Sequence, residues 1–315
     1  MKLAMIMDPI ESVKTYKDTS FRLLLEAQER NYELFYLTMN DLSIVASEPM
    51  AYARSLQVVD QATDFYTLGE PTEMSLGSFD VIMMRKDPPF DTEFVYATHI
   101  LELAERRGAL VINKPQSLRD CNEKLYTAWF PDLTPPTIVT RRAEQIRAFH
   151  AEHQDIILKP LDGMGGASIF RVREDGTNLG VIIETLTEHG QRFAMVQRYL
   201  PEIKDGDKRI LIIDGEPMPY ALARVPSAGE TRGNLAAGGS GRPQPLSDSD
   251  WEIARQVGPE LKRRGLTIVG LDVIGDRVTE INVTSPTCMR EIEAAYNINI
   301  AAKVFEAVER QLGLC

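Results

Sequence analysis

Cysteine and histidine are scarce in this sequence, and neither is grouped. The 315 residues contain three cysteines, Cys121, Cys288 and Cys315, with no Cys-x-x-Cys pair. An odd, scattered set argues against a disulfide framework or a zinc site and favours a reducing cytoplasm. The four histidines fall in or beside predicted helices, so no Ser-His-Asp or Cys-His arrangement is evident.

Long apolar runs and excess positive charge are also missing. The first apolar stretch is interrupted at Asp8, which makes it too short for a signal peptide or a membrane span. The 35 Lys and Arg residues are outnumbered by 46 Asp and Glu, for a formal net charge of −11. Because an acidic surface repels a phosphate backbone, neither nucleic acid nor a membrane is an expected partner.

The remaining composition is that of a globular protein in which strands and helices alternate. Apolar residues make up 43% and charged residues 26% of the chain. The patterns predict strands at 2–8, 33–38, 81–86 and 109–113, and helices at 20–30 and 91–108. This alternation predicts an α/β domain over residues 1–122, an open parallel sheet with its ligand edge at the strand C-termini.

The pattern changes after residue 122. We predict a small α+β domain over 123–200 and a third domain over 201–315 that contains hairpins at 208–226 and 267–283. Segment 227–243 has five glycines and no aromatic residue. A loop of this length is usually functional or disordered, so we expect it to be mobile.

A glycine-rich stretch follows a predicted strand in "ILKPLDGMGGASIF", residues 157–170. Lys159 lies at the end of the strand. The backbone then carries no side chain at three positions, Gly163, Gly165 and Gly166. Successive bare amides form an anion-binding nest, and the lysine adds a point charge, so the stretch suits a polyphosphate. The alternative is a hairpin turn with a solvated lysine, and the spacing is not that of a Walker A loop.

Oxygen-bearing side chains converge on the 267–283 hairpin. Glu280 and Asn282 are two apart and share a face, and a three-residue turn would place Asp272 opposite Glu280. Such a set predicts a Mg²⁺ site, whereas the alternative is an exposed polar face. Lys124, Arg209 and Arg232 could clamp the charge that develops in phosphoryl transfer, although each alone is typical of a solvated surface charge.

These motifs resemble a known family. Lys124, "ILKPLDGMGGAS", "VQRYL" (196–200) and the D-x₇-E-x-N pattern from Asp272 to Asn282 resemble the ATP-grasp fold. Within that fold, "MRKDPPFDTEFVYAT" (84–98), "NKPQSLRDCNEKL" (113–125), "GETRGNLAAGG" (229–239) and "EINVTSPTCMREIE" (280–293) resemble the bacterial glutathione synthetases. The likeness runs over nearly the whole chain.

The resemblance implies an ATP-dependent ligase of three domains that joins γ-glutamylcysteine to glycine and releases ADP and phosphate. It implies ATP and two Mg²⁺ as cofactors, with Mn²⁺ as a substitute, and a cytoplasmic homo-oligomer, suspected to be a tetramer. By position, the cofactor-binding residues would be Lys124, Lys159, Gly163, Met164, Gly165, Gly166, Gln197, Tyr199, Leu200, Asp207 and Asn234. The metal ligands would be Asp272, Glu280 and Asn282, and the catalytic residues Lys159, Arg209 and Arg232.

Substrate carboxylates are expected to be bound by Arg85 in "MRKDPPFD" and by Ser285, Thr287 and Arg290 in "TSPTCMRE". The alternative is that the two arginines pair with Asp87, Glu291 or Glu293. Two other functions also remain open: another ATP-grasp carboxylate–amine ligase, and a non-catalytic nucleotide-binding regulator.

Overall fold

The computed structural model describes residues 1–163, 165–227, 233 and 238–314. In these residues the strands form three sheets, which follow one another along the chain. None of the helices described is both long and apolar enough to cross a membrane.

The first sheet has seven strands: β1 (Lys2–Ile6), β2 (Glu33–Leu37), β3 (Leu42–Val45), β4 (Glu48–Val58), β5 (Tyr66–Ser75), β6 (Val81–Met84) and β7 (Leu110–Ile112). The order is β3-β4-β2-β1-β6-β7, and β5 pairs with β4. Strands β2, β1, β6 and β7 run parallel, as the α/β alternation predicts, with helices α1 (Thr19–Glu29) and α2 (Thr92–Arg106). The antiparallel β3, β4 and β5 were not predicted.

Helix α3 (Pro115–Asp120) leads to the second sheet, which is antiparallel and has four strands. These are β8 (Thr137–Thr140), β9 (Ile156–Pro160), β10 (Phe170–Val172) and β11 (Ala194–Arg198), in the order β10-β9-β11-β8. Helices α4 (Ala143–His153) and α5 (Leu179–Thr187) pack on it. Buried side chains of these helices and of the sheet, such as Phe149, Leu158 and Ile183, form a core separate from the two other cores.

The third sheet has the order β14-β13-β12-β15-β16. Its strands are β12 (Asp207–Ile213), β13 (Glu216–Val225), β14 (Ser240–Pro245), β15 (Ile268–Ile274) and β16 (Arg277–Asn282). Helices α6 (Asp248–Arg263), α7 (Met289–Tyr296) and α8 (Ile300–Gln311) complete this part. Its apolar side chains share two cores with the first sheet. Strand β14 includes residues 240–243, so the predicted loop 227–243 extends too far at that end.

Asn113, just after β7, connects the first and third sheets. It is 3% exposed. Its Nδ2 donates to the carbonyls of Ile268 at 2.8 Å and Val283 at 2.7 Å, and its Oδ1 accepts from the amide of Ile268 at 2.9 Å. One side chain thus satisfies three backbone groups around the hairpin that carries the predicted metal ligands.

Asn113→Ala should lower the free energy of unfolding by about 2–4 kcal/mol, because three buried backbone groups would lose their partner. Urea denaturation of the two proteins measures this difference. Asn40→Ala, at an exposed position, is the matched control and should change stability by less than about 0.5 kcal/mol. Equal stabilities for Asn113→Ala and Asn40→Ala would show that the three hydrogen bonds of Asn113 contribute little to the free energy of unfolding.

Candidate active site

A cavity of about 490 Å³ lies where the three sheets meet. Its wall includes residues that follow β6, the ends of β9 and β11, and the strands β12, β13, β15 and β16. The predicted site residues that line it are Lys124, Lys159, Gly163, Gly165, Gly166, Gln197, Tyr199, Leu200, Asp207, Arg209, Glu280, Asn282, Ser285 and Thr287. The fold therefore gathers most of the described predicted residues into one place.

The β15–β16 hairpin places its polar side chains in register. Asp272 lies opposite Glu280, as predicted, and Gly270 lies opposite Asn282. The predicted three-residue turn is wrong, because Ile274 pairs with Arg277 and leaves a two-residue turn. A β-bulge between Asp272 and Val273 restores the register, and bulges of this kind are common beside active sites.

Asp272 is bound by two arginines. Arg209 donates from Nε to Oδ1 at 2.5 Å and from Nη2 to Oδ2 at 3.1 Å, and Arg224 Nη2 lies 2.8 Å from Oδ2. Burial would raise the pKa of Asp272, but the two guanidinium groups hold it well below its usual range. A carboxylate has about four lone-pair directions, so these three contacts leave about one for a metal.

The arginine geometry depends on a glycine beneath it. A Cβ atom at Gly270 would lie 2.7 Å from Arg209 Cδ and 2.9 Å from Pro286 Cβ. The absence of a side chain lets Arg209 lie flat across β15 and reach Asp272 with both nitrogens.

Two buried lysines face Glu280. Its Oε1 lies 3.5 Å from Lys159 Nζ and 3.7 Å from Lys124 Nζ. Burial lowers the pKa of Lys159, although Glu280 opposes the shift. Burial acts in the same direction on Lys124, but the carboxylates of Glu280 and Glu123 outweigh it and raise the pKa. The pair forms a desolvated cationic wall suited to phosphate oxygens.

The donor set fits Mg²⁺. Glu280 and Asn282 line the cavity, and Asp272 lies next to them behind the two arginines. Carboxylate and amide oxygens are the ligands this ion prefers, and it usually completes its shell with phosphate and water. No cluster of three or more His, Cys, Asp or Glu side chains suited to a metal occurs within the described ranges. A metal here would therefore rely on the asparagine as well as the acids.

One part of the cavity wall combines apolar side chains with an unpaired acid. Ile157 and Ile274 line the cavity and pair in their sheets with Gln197 and Asp207, and Leu200 lines it too. Gln197 Nε2 donates to Thr137 Oγ1 at 3.1 Å, which leaves its amide oxygen as the group able to accept. Asp207 Oδ1 is buried without a hydrogen-bond partner among the described residues. Burial raises the pKa of Asp207 to about 6, although Arg224 opposes this shift.

The glycine-rich stretch forms a tight turn over the lysines. Gly165 and Gly166 have φ values of 62° and 81°, in the region that favours glycine. Lys124 Nζ donates to the Gly163 carbonyl at 2.6 Å. Three of the predicted site residues, Met164, Arg232 and Asn234, lie outside the described residues.

The predicted substrate residues separate into two groups. Ser285 and Thr287 line the cavity with Asp18, Asp87 and Glu291. Arg85 is 4% exposed and donates to Ser20 Oγ at 3.1 Å and to the Pro286 carbonyl at 2.9 Å. Its Nη1 is buried with no partner in the described part of the chain.

Arg290, like Arg85, is not among the residues of the cavity wall. It donates to the Thr15 carbonyl at 2.7 Å and pairs with Asp60 at 2.8 Å. The alternative pairing of Arg290 with Glu291 or Glu293 is not the arrangement observed either.

Sequence reasoning missed several charged residues of the site, and Arg224 and Glu123 lie nearest its centre of charge. Arg224 lines the cavity and contacts both Asp207 and Asp272, and Glu123 lines it beside Lys124. The signal for Arg224 was a single charge inside the apolar run "ALARV" of β13. Glu123 carried no comparable signal, because it lies in a polar segment.

Comparison with solved structures identifies the class of fold. An ATP-grasp ligase complexed with a minimal precursor, Mg and ADP has a TM-score of 0.63 at 18% identity, over 99% of this chain and 98% of that one. A D-cycloserine synthetase has a TM-score of 0.68 at 14% identity, over 99% of this chain and 100% of that one. The chain therefore has the ATP-grasp fold.

Sequence comparison identifies the family within that class. Residues 1–119 match the N-terminal domain of prokaryotic glutathione synthetase, and residues 123–297 match its ATP-grasp domain. The glutathione synthetase of Salmonella typhimurium is 64% identical over 312 residues, which is 99% of both chains. The chain belongs to the prokaryotic glutathione synthetase family, and it is an ATP-using ligase.

Proposed function

We propose that the cavity joins γ-glutamylcysteine to glycine through an acyl phosphate. The observation that carries this is the convergence of Lys124, Lys159 and Arg209 on the hairpin that presents Glu280 and Asn282. A donor carboxylate is a poor acyl donor until ATP phosphorylates it. The glycine amine then attacks the acyl carbon, and phosphate leaves.

The residues divide the work by position. Lys124 and Lys159 hold the ATP phosphates, and Asp207 accepts a hydrogen bond from the ribose. Arg209 stabilises the negative oxygen that develops during both transfers. Asp272, Glu280 and Asn282 would hold Mg²⁺, which supplies positive charge to the phosphate oxygens when bound.

The γ-glutamylcysteine end lies beside Asp87, Ser285 and Thr287, where hydroxyl and charged groups can bind its polar ends. We place the reaction in the cytoplasm, where ATP and reduced thiols are kept. A homo-oligomer, suspected to be a tetramer, and the domain limits 1–122, 123–200 and 201–315 remain part of the proposal.

ADP release from the purified chain tests this function. We expect release with γ-glutamylcysteine plus glycine, a product with the mass of glutathione, and one ADP per peptide bond. Turnover only with a different carboxylate–amine pair would favour another ATP-grasp ligase. ATP binding with no ADP release from any pair would favour a nucleotide-binding regulator.

Arg85→Met should raise the KM of one of the two substrates by about tenfold or more, because a hydrogen bond to a charged group contributes about 1.5–3 kcal/mol. The KM of ATP should not change. Initial rates at saturating concentrations of the other reactants give these constants. Arg290→Met is the matched control, because Thr15 and Asp60 bind both terminal nitrogens of Arg290, whereas Arg85 Nη1 has no partner among the described residues. Unchanged KM values for Arg85→Met would remove Arg85 from substrate binding.

A further inference from the structure

One nitrogen of Arg224 is shared by two buried acids, Asp207 in the cavity wall and Asp272 next to the wall. Arg224 Nη2 lies 2.8 Å from Asp272 Oδ2 and also donates to Asp207 Oδ2. The strand register places Arg224 directly opposite Asp207. The side chain is 4% exposed, so the three charges interact with little solvent between them.

The two acids serve different parts of the cavity. Asp207 Oδ2 accepts a hydrogen bond from Arg224. Asp207 Oδ1 is buried without a hydrogen-bond partner among the described residues, in the part of the cavity proposed for the nucleotide. Asp272 lies opposite Glu280, in the part of the cavity where the metal donors converge. Arg224 is therefore the contact between the sugar-binding acid and a metal ligand.

We propose that Arg224 is a positioning residue that couples sugar binding at Asp207 to metal binding at Asp272. This inference rests on the proposed use of ATP and Mg²⁺ at the cavity. The Nη2 amino group has two hydrogens, so each acid takes one. The remaining lone pair of Asp272 lies on Oδ1, because Oδ2 already faces both arginines. A metal bound there would draw charge from the whole carboxylate and weaken the contact of Oδ2 with Arg224, so that the guanidinium would hold Asp207 more firmly.

This coupling has a measurable consequence. Mg²⁺ should increase the preference of the protein for ATP over 2′,3′-dideoxy-ATP, which lacks the sugar hydroxyl groups. Both nucleotides carry the same triphosphate, so the direct effect of Mg²⁺ on the phosphates cancels in the ratio of their dissociation constants. Linkage is reciprocal, and couplings of this kind are typically about 5- to 150-fold.

The test is calorimetric titration of both nucleotides at low and high Mg²⁺ concentration, without the other substrates. For the unchanged protein, the ratio of the two dissociation constants should shift by about fivefold or more with Mg²⁺. Arg224→Gln should make the ratio independent of Mg²⁺, and Arg224→Lys, which keeps a charged donor, should restore part of the response. Arg242→Gln, an exposed arginine on β14, is the control and should retain the full response.

If the role of Arg224 is purely structural, Arg224→Gln should lower stability and leave the response to Mg²⁺ unchanged in the folded protein. That result would overturn the proposal.

If Arg224→Gln does not fold, Asp207→Asn provides the same test with every arginine in place. It should also abolish the response, and a retained response would overturn the proposal. The proposal would also be overturned if Mg²⁺ did not change the ratio of the two nucleotide dissociation constants in the unchanged protein. These are binding measurements, so a failure to ligate γ-glutamylcysteine would count against the proposed function alone.

Discussion

Glu280→Gln should reduce the rate of ligation by about 10²–10³-fold or more, the effect typical of losing one transition-state contact. The change removes a proposed metal ligand and the charge that faces Lys124 and Lys159 at 3.7 and 3.5 Å. Glutamine has the same shape and Glu280 borders the cavity, so the fold should persist. Glu280 is a cleaner target than Asp272, whose loss would leave Arg209 and Arg224 buried without their shared partner.

Steady-state rates across a range of Mg²⁺ concentrations measure the effect of Glu280→Gln. The Mg²⁺ concentration that gives half-maximal rate should rise, and the thermal unfolding midpoint without metal should stay close to that of the unchanged protein. Glu216→Gln, at an exposed position on the same sheet, is the control and should alter neither. Normal turnover of Glu280→Gln at ordinary Mg²⁺ would remove this carboxylate from the metal site.

Arg209→Met should lower kcat by about 10²–10³-fold, because in the proposed mechanism this guanidinium stabilises the negative oxygen that develops during transfer. It should also lower the free energy of unfolding by about 3–5 kcal/mol, since a buried ion pair loses one partner. Arg209 is 6% exposed and donates to both oxygens of Asp272. The stability loss is thus predicted from geometry that is independent of catalysis.

Two measurements separate these effects of Arg209→Met. Urea denaturation gives the stability, and rates taken where the variant is fully folded give kcat. Arg209→Lys keeps the charge and loses the two-nitrogen contact, so it should recover part of the rate. Arg255→Met, on the exposed face of α6, is the control for both measurements. A normal kcat in folded Arg209→Met would exclude this arginine from the transition state.

The β15–β16 hairpin was the part of the site whose geometry was most readily predicted from the sequence. Strand alternation alone places Glu280 and Asn282 on one face. Pairing of Asp272 with Glu280 needs either a three-residue turn or the observed two-residue turn with a bulge. The turn length could not be predicted, because one residue moved from the turn into the bulge. The predicted turn was one residue too long and the bulge was not predicted. These two differences cancel, so Asp272 lies opposite Glu280 as predicted although the turn is shorter.

Other features had no local signal. The inward residues of β4 include Pro49, Ala51 and Ala53, whose small side chains give a weak alternating pattern. The partner of Arg290 is Asp60, which is 230 positions away in the chain. Arg224 meets Asp207 because β13 has two extra residues between Pro217 and Ala221, opposite the step from Ile210 to Ile212 in β12. Contacts that depend on distant pairing or on a bulge cannot be derived from periodicity.

The close packing of Arg209 against Gly270 limits which residues can occupy position 270. Even the methyl group of alanine would come within 2.7 Å of the Arg209 side chain. In a library that samples every amino acid at position 270, active clones should therefore retain glycine, although this residue contributes no side-chain atom to the chemistry. The tolerance of the site to mutation is thus set partly by a position that touches neither substrate nor metal.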